Sequence, residues 1–294
     1  MAYTTTIKHW LNQALAPLGM KLDSLTAERR EMQRLIKLED AGYFDSPRFP
    51  IPAPLSNMDP ASIFRDLSLY ASRFGDLTEE DDNPVAYSFD NPFFSSPDAE
   101  VLYSIVRAYE PETIVEVGCG NSTKIIRLAI MDGGFESRIV GVDPCPRREI
   151  TDITDEIYSC PVESIVDLSL FADLKRGDIL SIDSSHELKV GNDLTFLYLK
   201  VFPQLSPGVI VHIHDIFLPY DYKSDWVIED RRHYSEQYIV QMMLDSSNWF
   251  EVLWAGYYLQ KTREDFQGYF PHIEKRSAQS LWLRKASRER SPLK

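Results

Sequence analysis

Two groups of residues in this 294-residue chain have types and spacing suited to chemistry. The first is Ile114-Val115-Glu116-Val117-Gly118-Cys119-Gly120-Asn121-Ser122-Thr123, an apolar strand running into a turn with two glycines and then a helix. Glycine lets a backbone come close to a ligand, and the N–H groups of the turn and of a helix start at Asn121 and Ser122 bind polar or anionic groups. Asp143 stands 23 residues beyond Gly120, after a second apolar strand, where a carboxylate can accept hydrogen bonds from both hydroxyls of a ribose. Thr123 occupies the position of the third glycine in a dinucleotide fingerprint, which speaks against a pyrophosphate ligand and an NAD-dependent dehydrogenase.

The second group is Asp183 and His186, after the run Ile179–Ile182, together with His214-Asp215, after Val209–Ile213. Carboxylates that follow buried strands are costly without partners. In open α/β sheets ligands bind beyond the carboxyl ends of the strands, so both groups are expected to face one crevice with the glycine loop. Asp183, His186 and His214 also make a candidate two-His, one-carboxylate iron triad, the arrangement of an oxygenase. His212, in the middle of its strand, reads as a hydrogen-bonded core histidine.

These residues need a scaffold, and the chain spells one. From Ser96 onward helices and strands alternate, the pattern of a parallel sheet covered on both faces. Apolar strands are expected at Thr113–Val117, Arg138–Val142, Asp178–Ile182, Val209–His214, Phe250–Leu259 and Ser280–Lys285. Ser96 reads as the N-cap and Pro97 as the first position of a helix whose stripe is Val101, Leu102, Ile105, Val106 and Tyr109. Leu194, Leu197, Tyr198 and Val201 give a later helix its apolar face. Residues 4 to 41 and Ala61–Phe74 carry helical spacing, interrupted by the Pro-rich SPRFPIPAPLSNMDP and followed by the acidic turn Glu79-Glu80-Asp81-Asp82. The expected fold is a Rossmann-like, doubly wound, mostly parallel seven-stranded α/β sheet over residues 93–294. Residues 1–92 form an N-terminal helical appendage, for a lid or for dimerisation.

Composition narrows the function. A formal net charge of −14 argues against a nucleic-acid partner, which needs a basic face to release counterions. The basic stretch Arg284–Arg290 reads as a frayed end. With 44% hydrophobic residues the chain can bury a sizeable core. It has no run of about 18 apolar residues and no secretory start, so no membrane partner and a cytoplasmic, soluble protein are expected. Cys119, Cys145 and Cys160 lack disulfide or zinc-ribbon spacing and read as small buried thiols. The aromatic stretches Tyr87–Phe94 and Ile216–Tyr222, with Trp226, His233 and Tyr234, suggest loops that cover a small-molecule acceptor. A homo-oligomer is left open.

The ordered set of acid, two glycines, helix, strand and acid resembles the class I S-adenosylmethionine-dependent methyltransferases. The stretch from Phe93 to Leu218 is similar to the branch that holds small-molecule O-methyltransferases and cephalosporin-hydroxylase-like proteins, which share an acid after the fourth strand, a His three residues on, a Pro-Gly turn and an acid after the fifth strand. The resemblance implies S-adenosylmethionine as cofactor, held by Glu116, Gly118, Gly120, Asn121, Ser122, Asp143 and Asp183, with adenine near Glu163 or Asp167. It also implies methyl transfer to a small acceptor, with a hydroxyl expected and N-methylation open. Some sugar O-methyltransferases of the superfamily bind a divalent metal at positions matching Asp183, His214 and Asp215. Imidazole in that set suits manganese, iron, cobalt or zinc better than magnesium. A metal would lower the pKa of the acceptor hydroxyl, and His186 with Asp183 would take its proton. A scaffold that binds the cofactor without turnover is the other alternative.

Overall fold

The computed structural model describes residues 2–21, 25–77, 83–270, 272 and 276–287, with side-chain burial described from residue 8 onward. The acidic turn Glu79–Asp82 and Arg288–Arg290 of the basic stretch lie outside the described residues. The chain divides into two compact units, one of residues 1–46 with 223–232, the other of residues 47–222 with 233–294. The smaller unit carries the helices Ala2–Leu15, Thr26–Asp40 and Ser224–Ile228, the last two packed on each other. None of its described side chains is fully buried, and Trp10, Leu18 and Met20 are largely exposed.

The larger unit holds a seven-stranded sheet in the order β3-β2-β1-β4-β5-β7-β6. The strands are β1 Thr113–Val117, β2 Arg138–Val142, β3 Glu156–Tyr158, β4 Ile179–Ile182, β5 Ile210–Ile213, β6 Phe250–Ala255 and β7 Leu281–Lys285. All neighbours run parallel except that β7 is antiparallel to both β5 and β6. The sheet is doubly wound: the chain proceeds outward from β1 to β3, then returns to place β4 on the other side of β1. In open α/β sheets such a reversal is where ligands bind, beyond the carboxyl ends of the strands that flank it, here β1 and β4.

Strands buried on both faces are expected to be mostly apolar, and these are. Val115, Val117, Val140, Val142, Leu180, Ile182, Val211 and Ile213 enter one core. Ile114, Ile139, Ile179 and Ile210 enter the other, with Leu102, Ile105 and Ile125 of the covering helices and with Ile63, Leu67 and Phe74 of the helix Ala61–Gly75. The alternation buries a row of larger and polar side chains on the second face: Glu116 is level with Ser181, Ser181 with His212, and His212 with Trp282.

Two local expectations are corrected. The strand expected at Phe250–Leu259 stops at Ala255, paired with Leu281 where β7 begins; Gly256 N still donates to Ser280 O at 3.0 Å, and Gly256–Thr262 turns into a helix. Ser96 does not cap its helix, which runs Asp98–Tyr109 behind Pro97; its hydroxyl donates instead to Glu100 Oε1 at 2.6 Å. The cysteines are free, but Cys145 is exposed and Cys119 and Cys160 only half-buried. Cys145 sits in the turn after β2, where its N–H rather than its thiol is engaged, donating to Asp143.

Candidate active site

Register places the site. Val117, Val142, Ile182 and Ile213 are the last paired residues of four adjacent parallel strands and lie level with one another. The residue that follows each of them is Gly118, Asp143, Asp183 and His214, and backbone bonds keep that next row aligned: Gly118 N donates to Val142 O at 3.0 Å, Asp183 N to Val117 O at 2.9 Å and His214 N to Ile182 O at 3.0 Å. Both sequence groups therefore share one edge of one sheet.

At the turn after β1, Gly118 has φ +83, a left-handed conformation that suits glycine. A Cβ there would sit 1.8 Å from the carbonyl oxygen of Asp183, so the glycine loop rests directly on the β4 turn. Asp143 closes the other side: its carboxylate accepts from Cys119 N at 3.0 Å and Cys145 N at 2.7 Å. Each oxygen keeps lone-pair capacity for hydroxyl donors. Gly120 N donates to Thr123 Oγ1 at 3.0 Å, and that hydroxyl donates in turn to Glu116 Oε2. Glu116 is fully buried, and burial pushes its carboxyl up to about 7 against the hydroxyls of Ser122 and Thr123; its Oε1 lacks a hydrogen bond of good geometry. Asn121 opens the Asn121–Gly133 helix and donates its side-chain amide to Asn91 Oδ1 at 2.9 Å. Ser122 is buried beneath it. Glu163 and Asp167 are exposed in the crossover after β3, and Asp167 accepts from Ser169 N.

At the turns after β4 and β5, His186 and Asp215 both adopt left-handed backbone, at φ 55 and φ 59. Such conformations in non-glycine residues cost about 1–3 kcal/mol and persist where surroundings fix them. His186 Nε2 lies 3.1 Å from Asp183 Oδ1 and 3.5 Å from Asp215 Oδ2, while Nδ1 lies 2.8 Å from Glu236 Oε2. His214 Nδ1 is 3.3 Å from Asp215 Oδ1 and 3.7 Å from Asp183 Oδ1, and its Nε2 is 3.7 Å from Asp98 Oδ2. Each imidazole thus bridges from an outer buried acid to the central pair Asp183 and Asp215. Asp183 is the accessible member, its side chain 33% exposed against 3% for His186 and 9% for Asp215.

Burial disfavours charge on both imidazoles, but the carboxylates win. Hydrogen bonds to Asp183 and Glu236 hold His186 well above the ordinary histidine range, and Asp183, Asp215 and Asp98 raise His214 to about 9. Asp183, despite burial that would raise it, is kept well below the usual carboxylate range by His214 and His186. His212 goes the other way: burial first, then the charge of His214, push it down to about 3. It is a neutral core histidine, bonded to Ser181 Oγ at 2.9 Å and Ser280 Oγ at 3.0 Å and stacked on Trp282.

Among the described residues, Asp183, His186 and Asp215 form the group whose ligand atoms converge, all within 4.8 Å of one another. The set expected from sequence had His214 in place of His186; its ring touches the same two carboxylates. Asp98 and Glu236 were not expected at all. Each is the first residue of a helix, Asp98–Tyr109 and Glu236–Ser246, and an acid there ordinarily reads as a favourable partner of the helix dipole. Of the expected acceptor aromatics, Tyr234 lies 4.8 Å ring to ring from His186, and Phe94 lies 5.0 Å from His214.

Residues 115–216, from β1 to just past β5, match the sequence model of a family described as a methyltransferase domain. Motif order in the chain agrees with that match, which supports methyl transfer from S-adenosylmethionine. The match does not single out a branch of the superfamily. A methyltransferase of Podospora anserina bound to S-adenosylhomocysteine is similar to the chain at 13% identity and a TM-score of 0.41, over 91% of this chain and 98% of that one. A methyltransferase of the mycinamycin biosynthetic pathway, solved with magnesium, S-adenosylhomocysteine and mycinamycin VI, is similar at 13% identity and 0.40, over 78% and 57%. A plantazolicin methyltransferase, solved with a triazolic desmethylplantazolicin analogue and S-adenosylhomocysteine, is similar at 11% identity and 0.38, over 78% and 97%. No curated protein matches the sequence. Among the described residues no helix is long and apolar enough to cross a membrane.

Proposed function

We propose that the enzyme methylates a hydroxyl of a small-molecule acceptor placed beside Asp183. The observation that carries the reading is the row Gly118, Asp143, Asp183 and His214, which sets a cofactor loop against a cluster able to handle protons. Asp143 would hold the ribose of S-adenosylmethionine, and Glu116, Gly118, Gly120, Asn121 and Ser122 would line its methionine end. Asp183 reaches both halves through its carbonyl at Gly118 and its carboxylate at His186. In the reaction the sulfonium carbon–sulfur bond breaks, the oxygen–carbon bond forms, and the hydroxyl proton passes to His186 Nε2.

The cluster's charge favours a divalent cation. Asp98, Asp183, Asp215 and Glu236 are four acids around two imidazoles, and protonation of both rings still leaves an excess of two negative charges. Asp183 and Asp215 would hold the ion, with His214, whose ring touches both carboxylates, as third ligand. When bound, it supplies the positive charge that acidifies the acceptor hydroxyl and, by neutralising Asp183 and Asp215, brings His186 back toward the range of a base. No observation favours the oxygenase reading, since the converging group has one imidazole and two carboxylates.

Calorimetric titration with S-adenosylhomocysteine, with and without manganese(II), tests both halves. Binding that is lost in Asp143→Ala, and a manganese site that is lost in Asp183→Asn while S-adenosylhomocysteine still binds, are the expected results. A wild-type protein that binds neither sinks the reading.

A further inference from the structure

The helix Glu236–Ser246 begins by gripping both turns of the cluster. Its Ser235 and Glu236 N–H groups donate to the carbonyl of His186 at 2.7 and 3.2 Å, and Ser235 Oγ accepts from Leu188 N at 2.8 Å. One residue later the grip changes turn: Gln237 Oε1 accepts from Phe217 N at 3.1 Å, two residues past Asp215. Between these anchors the Glu236 side chain, with no exposed surface, meets His186 Nδ1 through Oε2 and accepts from the Tyr198 hydroxyl at 2.8 Å through Oε1. Tyr198 is itself buried, so neither oxygen is shared with solvent.

This geometry leaves the imidazole one orientation. An ionised carboxylate is an acceptor only, so the ring atom that faces Glu236 carries a proton; by the same rule Nε2, turned toward Asp183 and Asp215, is free to accept one only when a cation has neutralised those two carboxylates. Tyr198 in turn fixes which way the carboxylate lies. We propose that Glu236, held by Tyr198, is the positioning residue of the acceptor site: it keeps the proton on His186 Nδ1 and aims Nε2 at the place where the acceptor's proton must go. The inference rests on the reading of His186 as base. It accounts for the left-handed backbone at His186, because that conformation presents the carbonyl and the ring to one helix start.

Proton–nitrogen-15 correlation spectra of the histidine rings test this without an acceptor, with His186→Gln assigning the signal. In the wild type the His186 ring should show an Nδ1 proton far downfield and slow to exchange, since hydrogen bonds to an ionised partner are the short, strong ones. Tyr198→Phe should keep that proton but shift it. Glu236→Gln, close in shape, should move it upfield, and Glu236→Ala should abolish it. S-adenosylhomocysteine binding reports whether each variant is folded. Ring signals of His186 that are the same in Glu236→Gln as in the wild type overturn the inference. A wild-type protein that binds no manganese overturns the metal part of the proposed function instead, and the ring spectrum still decides the role of Glu236.

Discussion

Replacing Glu100 with Gln should make the protein more stable, and only above mildly acidic pH. Glu100 lies on the Asp98–Tyr109 helix with no exposed surface; one oxygen accepts from Ser96, and the other has no partner among the described residues. Burial pushes its carboxyl from 4.5 up to about 8, against the bond from Ser96 and with help from Asp98. Between those two values the folded chain holds a proton that the unfolded chain has released, so stability falls as pH rises through that window and levels off above it. Each pH unit of the window removes about 1.4 kcal/mol, so at pH 8 the cost is roughly 4 kcal/mol. Glutamine has no proton to keep, and its carbonyl can still accept from Ser96. For a chain of this size about 2 °C of melting temperature accompany each kcal/mol, so Glu100→Gln should melt roughly 8 °C higher at pH 8. Near pH 5 almost all of that gain should vanish. Calorimetric melts of both proteins from pH 5 to 8.5 measure it. A variant that melts no higher at pH 8, or gains as much at pH 5, would refute the reasoning.

Two further substitutions separate the cofactor loop from the core behind it. Gly118→Ala puts a Cβ into the Asp183 carbonyl at a left-handed position, so it should lower the melting temperature and abolish S-adenosylhomocysteine binding; titration showing native affinity would contradict the close contact. His212→Ala removes two buried hydrogen bonds and the stack on Trp282, so it should destabilise by about 2–4 kcal/mol while the folded protein still binds S-adenosylhomocysteine. Denaturant unfolding and titration measure the two effects, and a folded variant that no longer binds would move His212 from the core to the site.

The scaffold was readable because its signals are local. β1 and β2 begin and end at the residues that the apolar runs mark, and the acid and glycines fall where those runs end. β6 was read too long because its end is set by the end of its partner, which lies about thirty residues further along the chain. The same limit governs the cluster. Asp183, His186, His214 and Asp215 announce themselves by following buried strands. Asp98 and Glu236 do not, since a first-turn acid on an amphipathic helix looks the same whether it faces water or a histidine fifty residues away. The distinction lies in burial, which depends on the packing of the whole unit.

Gly118 would join the two binding events of the proposed function. With a glycine Cα on one side and the Asp183 carbonyl on the other, there is no slack between the cofactor loop and the turn that carries the acceptor cluster. A cofactor that settled the loop by a fraction of an ångström would also settle Asp183, and occupation of the cluster would settle the loop. By thermodynamic reciprocity, whatever factor S-adenosylmethionine adds to affinity at Asp183, a ligand at Asp183 returns to S-adenosylmethionine. The order in which the two partners arrive would then be a property of this contact, and exchanging the acceptor loops for those of another enzyme would leave it in place.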